Sequence, residues 1–294
     1  MKARITDIQR FCMHDGDGLR TTVFFKGCML RCVWCHNPET QKQLSQLLYY
    51  KQKCINCGEC AVCKNGVHGF EETHCVDYAK CIACGECAKR CPAGALEIAG
   101  QDIEVDEIVK RAMRDVDFYG DSGGVTLSGG EPMLQPKAAI ELLKKLKENE
   151  VNTAVETCGY FDKQYLEEVV KYTDKFLWDI KDTDDTRHTE YTGVSNRKII
   201  ENLLLADSLG AKTVLRCIVV NGVNANEAHC RGIAEIYEGL THCEGVELLP
   251  CHRFGLSKSE ALGRNTSDFP DFTPSKEILE GMKSTLERFG VKLL

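Results

Sequence analysis

The sequence predicts an α/β fold, a partial (β/α)6 TIM-type barrel that carries a small inserted domain. Three observations lead there. Strand-like runs alternate with helix-like runs along most of the 294 residues, the pattern of a parallel sheet with crossover helices. Six such units can be counted, where a closed barrel needs eight. Residues 49–100 break the alternation and are rich in cysteine instead of large aliphatic side chains. The expected division is 1–48 and 101–294 for the two parts of the barrel, with 49–100 as the insert.

The elements follow in order. TTVFF (21–25) is a β-branched and aromatic run, hence the first strand. After the insert, VDEIVKRAMRD reads as a helix and VTLS (125–128) as the second strand. AAIELLKKLKENE places Ala139, Leu142, Leu143 and Leu146 at the i, i+3, i+4, i+7 spacing of a core-facing helix. TAVE (153–156), FLWDI (176–180), TVLRCIVV (213–220) and GVELLP (245–250) are further buried-type strands. YLEEVVKY and RKIIENLLLADSLG supply helices between them, and a last helix is expected near 275–289.

Composition narrows the function classes. With 43% hydrophobic and 28% charged residues the chain can build a sizeable core. A formal net charge of -7 argues against nucleic acid or a membrane surface as partner. The N-terminal MKARITDIQR has no apolar core of a signal peptide, and no stretch reaches the ~20 apolar residues of a membrane span. Eighteen cysteines are therefore expected in a reducing cytoplasm, clustered ones as metal ligands and scattered ones as free thiols. A monomer is expected.

Cys28, Cys32 and Cys35 stand in KGCMLRCVWCHNPET with the spacing C-x3-C-x2-C. Thiolates are soft ligands, and four of them normally hold a 4Fe–4S cube, so three leave one iron open. An open position separates a catalytic metal site from a structural one, by the logic known for zinc. The motif implies a cluster that binds its substrate. The alternatives are zinc, which favours C-x2-C pairs closed by a second pair or by histidines, and scattered core cysteines.

The unusual motifs converge on one rim. KGCMLRCVWC follows the first strand and SGGEP (128–132) the second; ETCG ends the third and DIKD the fourth; Arg216 lies in the fifth, and PCH follows the sixth. The C-terminal rim of a parallel barrel is where its chemistry assembles. In SGGEP the glycines permit close backbone approach, and Glu131 can pair with an ammonium group.

The insert repeats itself, CINCGEC and then CIACGEC, as a small two-cluster ferredoxin-like domain does. It has too few large aliphatics to fold without metal. A bacterial ferredoxin half reads C-x2-C-x2-C-x3-C-P. Cys81, Cys84, Cys87, Cys91 and Pro92 obey this. The first half, Cys54, Cys57 and Cys60, is followed by Cys63 one residue early, with Lys64 in place of proline. Because the fourth cysteine of each half serves the other cluster, Cys63 is assigned to Cys81, Cys84 and Cys87, and Cys91 to Cys54, Cys57 and Cys60. Cys75 is the alternative to Cys63. Cys12, Cys158, Cys217, Cys230, Cys243 and Cys251 are left as free thiols, the last beside His252 on the rim. His68, His74, His188, His229 and His242 are expected at the surface.

C-x3-C-x2-C together with SGGEP resembles the radical S-adenosylmethionine superfamily, in which the methionine end of the cofactor chelates the open iron. DGDGLRTTVFFKGCMLRCVWCHNPET (15–40), SGGVTLSGGEP (122–132), VETCGY (155–160), WDIKD (178–182) and LLPCH (248–252) are similar, in order, to the glycyl-radical-enzyme activating enzymes. Pyruvate formate-lyase activating enzyme is one of these, and the insert resembles that of their ferredoxin-bearing branch. The resemblance implies an oxidoreductase: one electron cleaves S-adenosylmethionine to methionine and a 5′-deoxyadenosyl radical, which takes a hydrogen atom from a glycine of a partner glycyl radical enzyme.

The resemblance also implies roles. Cys28, Cys32 and Cys35 would hold the catalytic cluster, and the insert two auxiliary 4Fe–4S clusters. Trp34, Cys35 and His36 would meet the adenine; Gly129, Gly130 and Glu131 the methionyl ammonium; Asp179, Ile180, Lys181, Arg216 and His252 the ribose and carboxylate. Glu156, Thr157 and Asp179 match a monovalent-cation site, with strand-end capping or ion pairing as the alternative for the two carboxylates. Cys158 stands where serine is more usual. Electrons would come from flavodoxin or ferredoxin. Two other readings share some of these features: a radical enzyme acting on a small molecule, and a plain ferredoxin-like electron carrier.

Overall fold

A computed structural model describes residues 1–294. Twelve strands occur: β1 (Lys2–Cys12), β2 (Arg20–Phe25), β3 (Gln46–Tyr49), β4 (His68–Gly69), β5 (Cys75–Val76), β6 (Leu96–Ala99), β7 (Gln101–Glu104), β8 (Gly124–Gly129), β9 (Asn152–Thr157), β10 (Lys175–Ile180), β11 (Thr213–Val219) and β12 (Cys243–Pro250). Eight form one sheet in the order β12-β11-β10-β9-β8-β2-β1-β7. The run from β2 through β12 is parallel, and β1 and β7 extend it antiparallel. This is an α/β fold with a mostly parallel central sheet whose two edges, β12 and β7, stay apart.

The parallel strands coincide with the six runs read from the sequence. The antiparallel β1 and β7 had no counterpart there. In β1 the buried Ala3 and Ile5 alternate with Lys2, Arg4 and Thr6, but the alternation lapses over the polar and exposed residues beyond them, so the strand signal is short.

The pleat divides the strand residues between two environments. Val125, Leu127, Val155, Phe176, Trp178, Ile180, Leu215, Cys217 and Val246 face the helices and join one core of 38 buried residues. Helix Pro136–Glu148 adds Leu142, Leu143 and Leu146, the stripe predicted for it, each fully buried and stabilising by about 1.5–3 kcal/mol. The intervening strand residues face the other way. There the register sets Phe24 beside Ser128, Leu177 beside Glu156, Asp179 beside Arg216, and Arg216 beside Glu247. The sheet therefore has one greasy face and one face with a polar row near its C-terminal end.

The cysteine-rich stretch leaves the main α/β body through β3 and returns through β6, which pair antiparallel from Gln46↔Ala99 to Tyr49↔Leu96. Its own core has seven members, Leu47, Tyr49, Cys60, Val67, Cys87, Ala95 and Leu96. The two repeats take the same path: Gly58 and Gly85 are both left-handed (φ 78° and 82°) at the start of a short helix, and Asn56 and Ala83 precede them at φ 53° and 54°. Leu48 and Ala99 pack against Ala261 and Leu262, and Tyr78 donates its hydroxyl to the Ala261 carbonyl at 2.7 Å. No helix is long and apolar enough to cross a membrane.

Candidate active site and cysteine quartets

The loop after β2 is fastened at both ends. Gly27 N–H donates to Thr40 O at 2.6 Å, Cys28 N–H to Gln41 O at 3.1 Å, and the Gln135 side-chain amide to Lys26 O at 2.9 Å. Glu131 N–H returns to Gly27 O at 2.8 Å, which brings the SGGEP turn against the loop. Only glycine fits at 130, because a Cβ there would lie 2.2 Å from Gly27 O. Arg31 N–H and Val33 N–H reach Thr192 O and Tyr191 O at 2.7 and 3.1 Å, so helix Asp185–Thr192 holds the middle of the loop.

Held this way, Cys28, Cys32 and Cys35 line a cavity of ≈ 150 Å³ with Trp34, His36, Ser128, Gly129, Gly130, Glu156, Cys158, Asp179 and Lys181. It shares His36, Asn37, Ser128, Glu156, Asp179, Lys181 and Ile218 with a wider basin of ≈ 790 Å³ that runs out past Arg216, Glu247, His14 and His252. The His36 and His252 rings stack at 3.8 Å and 14°. Trp34 sits among Ile218, Val220, Val223, Cys251 and Phe272, with Tyr191 at 5.7 Å. Trp34 Nε1, His36 Nε2 and His252 Nδ1 are buried without a hydrogen-bond partner.

The charges are paired along the polar row. Lys181 Nζ lies 2.9 Å from Asp179; Arg216 reaches Glu156 at 2.7 Å and Glu247 at 3.3 Å; the Ser128 hydroxyl donates to Glu156. Burial works against the Lys181 charge, but Asp179, Cys32 and Glu156 outweigh it and raise its pKa. Burial likewise opposes ionised Glu156, and Arg216 outweighs it. Burial pushes the Cys32 thiol upward and the Cys35 thiol up to about 11. Cys28 goes the other way, because its hydrogen bond with Cys158 outweighs burial. His36 falls to about 4, through burial first and then His252 and Lys181, so its ring is neutral at pH 7.

Three assigned side chains lie elsewhere. Glu131 is 0% exposed and does not face the cavity: its carboxylate accepts from Thr157 Oγ1 at 2.8 Å, Cys158 N–H at 2.9 Å and Met133 N–H at 3.0 Å. Ile180 is in the helix-facing core, because the pleat turns it away from its neighbours Asp179 and Lys181. Thr157 alternates with Glu156 in the same way and spends its hydroxyl on Glu131. Glu156 and Asp179 both line the cavity, each ion-paired with its own cationic side chain, Arg216 and Lys181, and only the Thr157 side chain is turned away from them. Ser128, Asn37 and Glu247 line the basin without having been singled out, although Ser128 opens the SGGEP motif.

In the insert the cysteines fall into two quartets. Cys54, Cys57, Cys60 and Cys91 line one hollow, and Cys63, Cys81, Cys84 and Cys87 the other. This is the exchange expected from the repeat register. Cys75 lines neither hollow and is exposed. Four histidines depart from the surface expectation: His74, His188 and His229 are buried, and His68 is half-buried.

The model of the radical SAM superfamily matches residues 22–230. Choline trimethylamine-lyase activating enzyme of Oleidesulfovibrio alaskensis is 42% identical over 89% of this chain and 87% of its own length. Indoleacetate decarboxylase activating enzyme of Tractidigestivibacter scatoligenes is 39% identical over 100% of this chain and 97% of its own length. Among solved structures, a radical SAM methyltransferase from Sphaerobacter thermophilus has the same fold, with a TM-score of 0.56 at 16% identity, over 94% of this chain and 65% of that one.

Proposed function

The chain belongs to the radical SAM superfamily and, within it, to the glycyl-radical-enzyme activating enzymes, and we propose that the basin beside its three loop cysteines is where S-adenosylmethionine and the partner's glycine meet. Its family uses a 4Fe–4S cluster and S-adenosylmethionine, and its partner is a glycyl radical enzyme. A cluster held by Cys28, Cys32 and Cys35 would supply the electron for reductive cleavage of S-adenosylmethionine, and the radical chemistry so started would be directed at that glycine.

The residues fit these groups. Cys28, Cys32 and Cys35 supply three soft ligands around one cavity and leave one iron for the cofactor. Three orphaned ring nitrogens, on Trp34, His36 and His252, are suited to polar atoms of a ligand. We assign Gly129 and Gly130 to the methionyl ammonium through their backbone, Lys181 and Arg216 to the cofactor's anionic and hydroxyl groups, and Trp34 to His36 to the adenine. Glu131 is then a positioning residue, since it ties Thr157 and Cys158 behind the glycine turn. The partially open TIM-type barrel leaves a basin wide enough for a peptide loop, which favours a protein substrate over a small molecule.

The insert, in this proposal, is a ferredoxin-like domain with two further 4Fe–4S clusters, one per quartet. It passes electrons from flavodoxin or ferredoxin, and the protein works as a monomer in a reducing cytoplasm. The observation that carries the catalytic reading is the convergence of the three thiols, the glycine turn and Lys181 on one cavity. The test is anaerobic incubation of the reduced, iron-loaded protein with S-adenosylmethionine and purified glycyl radical enzymes. A glycyl radical in the paramagnetic resonance spectrum is expected with one of them. Cofactor cleavage with no such signal from any partner, but with turnover of a small molecule, would overturn it.

A further inference from the structure

The two cysteine quartets are near-repeats in sequence but not in surroundings. The hollow of Cys63, Cys81, Cys84 and Cys87 is walled by Val67, Ile82, Ala83 and Ile98 and has no histidine. The hollow of Cys54, Cys57, Cys60 and Cys91 contains His74, only 3% exposed. Its Nδ1 lies 3.4 Å from Cys54 Sγ, and its Nε2 lies 3.6 Å from Cys60 Sγ. The ring is fixed in place. His74 N–H donates to Asn56 Oδ1 at 3.1 Å, the Tyr49 hydroxyl donates to His74 O at 3.1 Å, and Phe70 stacks on the imidazole at 5.0 Å and 12°.

His68 is placed to set which nitrogen carries the proton. Its Nδ1 is 2.9 Å from His74 Nε2. If His68 Nδ1–H donates there, His74 Nε2 is an acceptor and Nδ1–H is left to donate to Cys54. A thiolate at Cys54 accepts that bond; a second acceptor would not. Such a relay resembles the outer partners that orient metal-bound ligands in other sites.

We propose that His74, with its tautomer set by His68, donates a hydrogen bond to the Cys54 thiolate and holds the cluster of Cys54, Cys57, Cys60 and Cys91 at a higher reduction potential than its sequence twin. The physical reason is general. A hydrogen bond to a ligand sulfur lowers the energy of the more negative, reduced cluster, and such bonds are among the terms that set iron–sulfur potentials. His74 acts through Cys54 and is a positioning residue. The asymmetry gives the relay a direction, with electrons settling on the quartet that contains His74. This inference rests on the two-cluster reading of the insert.

The test is potentiometric titration of the iron-loaded full chain, followed by paramagnetic resonance, in Cys32→Ala so that only the insert's clusters are read. In that background His74→Phe should make one of the two clusters at least tenfold harder to reduce at a fixed potential, about 59 mV for a one-electron couple. The other should not move. His74→Gln keeps an N–H donor and should restore most of the shift. His68→Ala should give a smaller shift in the same cluster, and it leaves the packing of Tyr49 and Phe70 untouched. Two clusters with unchanged potentials in His74→Phe and His68→Ala would overturn the proposal. So would loss of four irons in His74→Phe together with their retention in Cys57→Ala, which would make His74 a ligand. Absence of both clusters from the parent chain would instead overturn the two-cluster reading itself.

Discussion

The loop cysteines and the insert cysteines depend on their surroundings in opposite ways. Cys28, Cys32 and Cys35 sit on a loop pinned by backbone hydrogen bonds to elements that rest on a core of 38 residues. That scaffold should stand whether or not the thiols carry iron. The insert's own core has seven residues, two of which, Cys60 and Cys87, are themselves proposed ligands. Below ~40–50 residues a segment seldom folds without metal or disulfides. One region is thus a site placed on a fold, and the other a fold organised by its sites. The difference teaches where each kind of change will be felt: ligand loss should cost the barrel its chemistry and the insert its shape.

The largest effect should come from Cys32→Ala. Cofactor cleavage should fall to background, because two thiolates do not hold the cluster with one iron open. Total iron should drop from about twelve to about eight per chain, the value for two remaining cubes. Circular dichroism should be unchanged. Cleavage at the parental rate would show that the loop is not the catalytic site.

Removing iron from the whole protein tests the other half of the comparison. Both tryptophans, Trp34 and Trp178, lie in the barrel, so their fluorescence reports that part alone. After chelation, protease should cut between residues 50 and 95 while the tryptophan unfolding midpoint stays close to its starting value. A simultaneous collapse of both signals would mean that the insert is not an independent unit.

Much of this contrast was legible in the sequence, and the failures have physical causes. The parallel strands were visible because each is a β-branched or aromatic run closed by a motif of unusual residues. The exchange of Cys63 and Cys91 between quartets was visible because a repeat has a register. Motif adjacency, in contrast, does not say which way a side chain points. Ile180 and Thr157 were assigned with their neighbours, yet the pleat sends them to the helix side. Glu131 follows two glycines that approach the loop backbone, and its own carboxylate is drawn into the donors of the next strand's end. His74, His188 and His229 are single residues without periodicity, so nothing in the sequence separates them from surface histidines.

Gly130→Ala should sharpen the view of the barrel site as a product of its scaffold. The added methyl meets Gly27 O, a backbone atom that cannot rotate aside. Overpacking of this kind costs about 1–3 kcal/mol. Displacing the cysteine loop by even ~1 Å should slow cofactor cleavage by on the order of 10²-fold. The two cysteine quartets of the insert should keep their iron. Parental kinetics in this variant would show that the close approach of the two turns is dispensable.

The smallest expected effect concerns acid. His229 is fully buried; its Nδ1 accepts from Thr183 N–H at 3.3 Å and lies 3.0 Å from the Thr183 hydroxyl. Burial lowers its pKa to about 4, with Asp182 opposing. The folded pKa is therefore below the ordinary 6.5 of the unfolded chain. Above pH 6.5 both states are neutral and this histidine adds no pH dependence. Between about 6.5 and 4 the unfolded chain binds a proton that the folded barrel refuses, so stability falls as the pH falls. Below about 4 both states bind it and the loss levels off, at roughly 3–4 kcal/mol at most. Denaturant titrations followed by tryptophan fluorescence at pH 7 and pH 5 measure the barrel's loss directly. His229→Gln keeps an acceptor for Thr183 and should reduce the difference between the two pH values. The iron-loaded insert contributes nothing to that signal, so an undiminished difference in His229→Gln would move the barrel's acid sensitivity to its paired carboxylates.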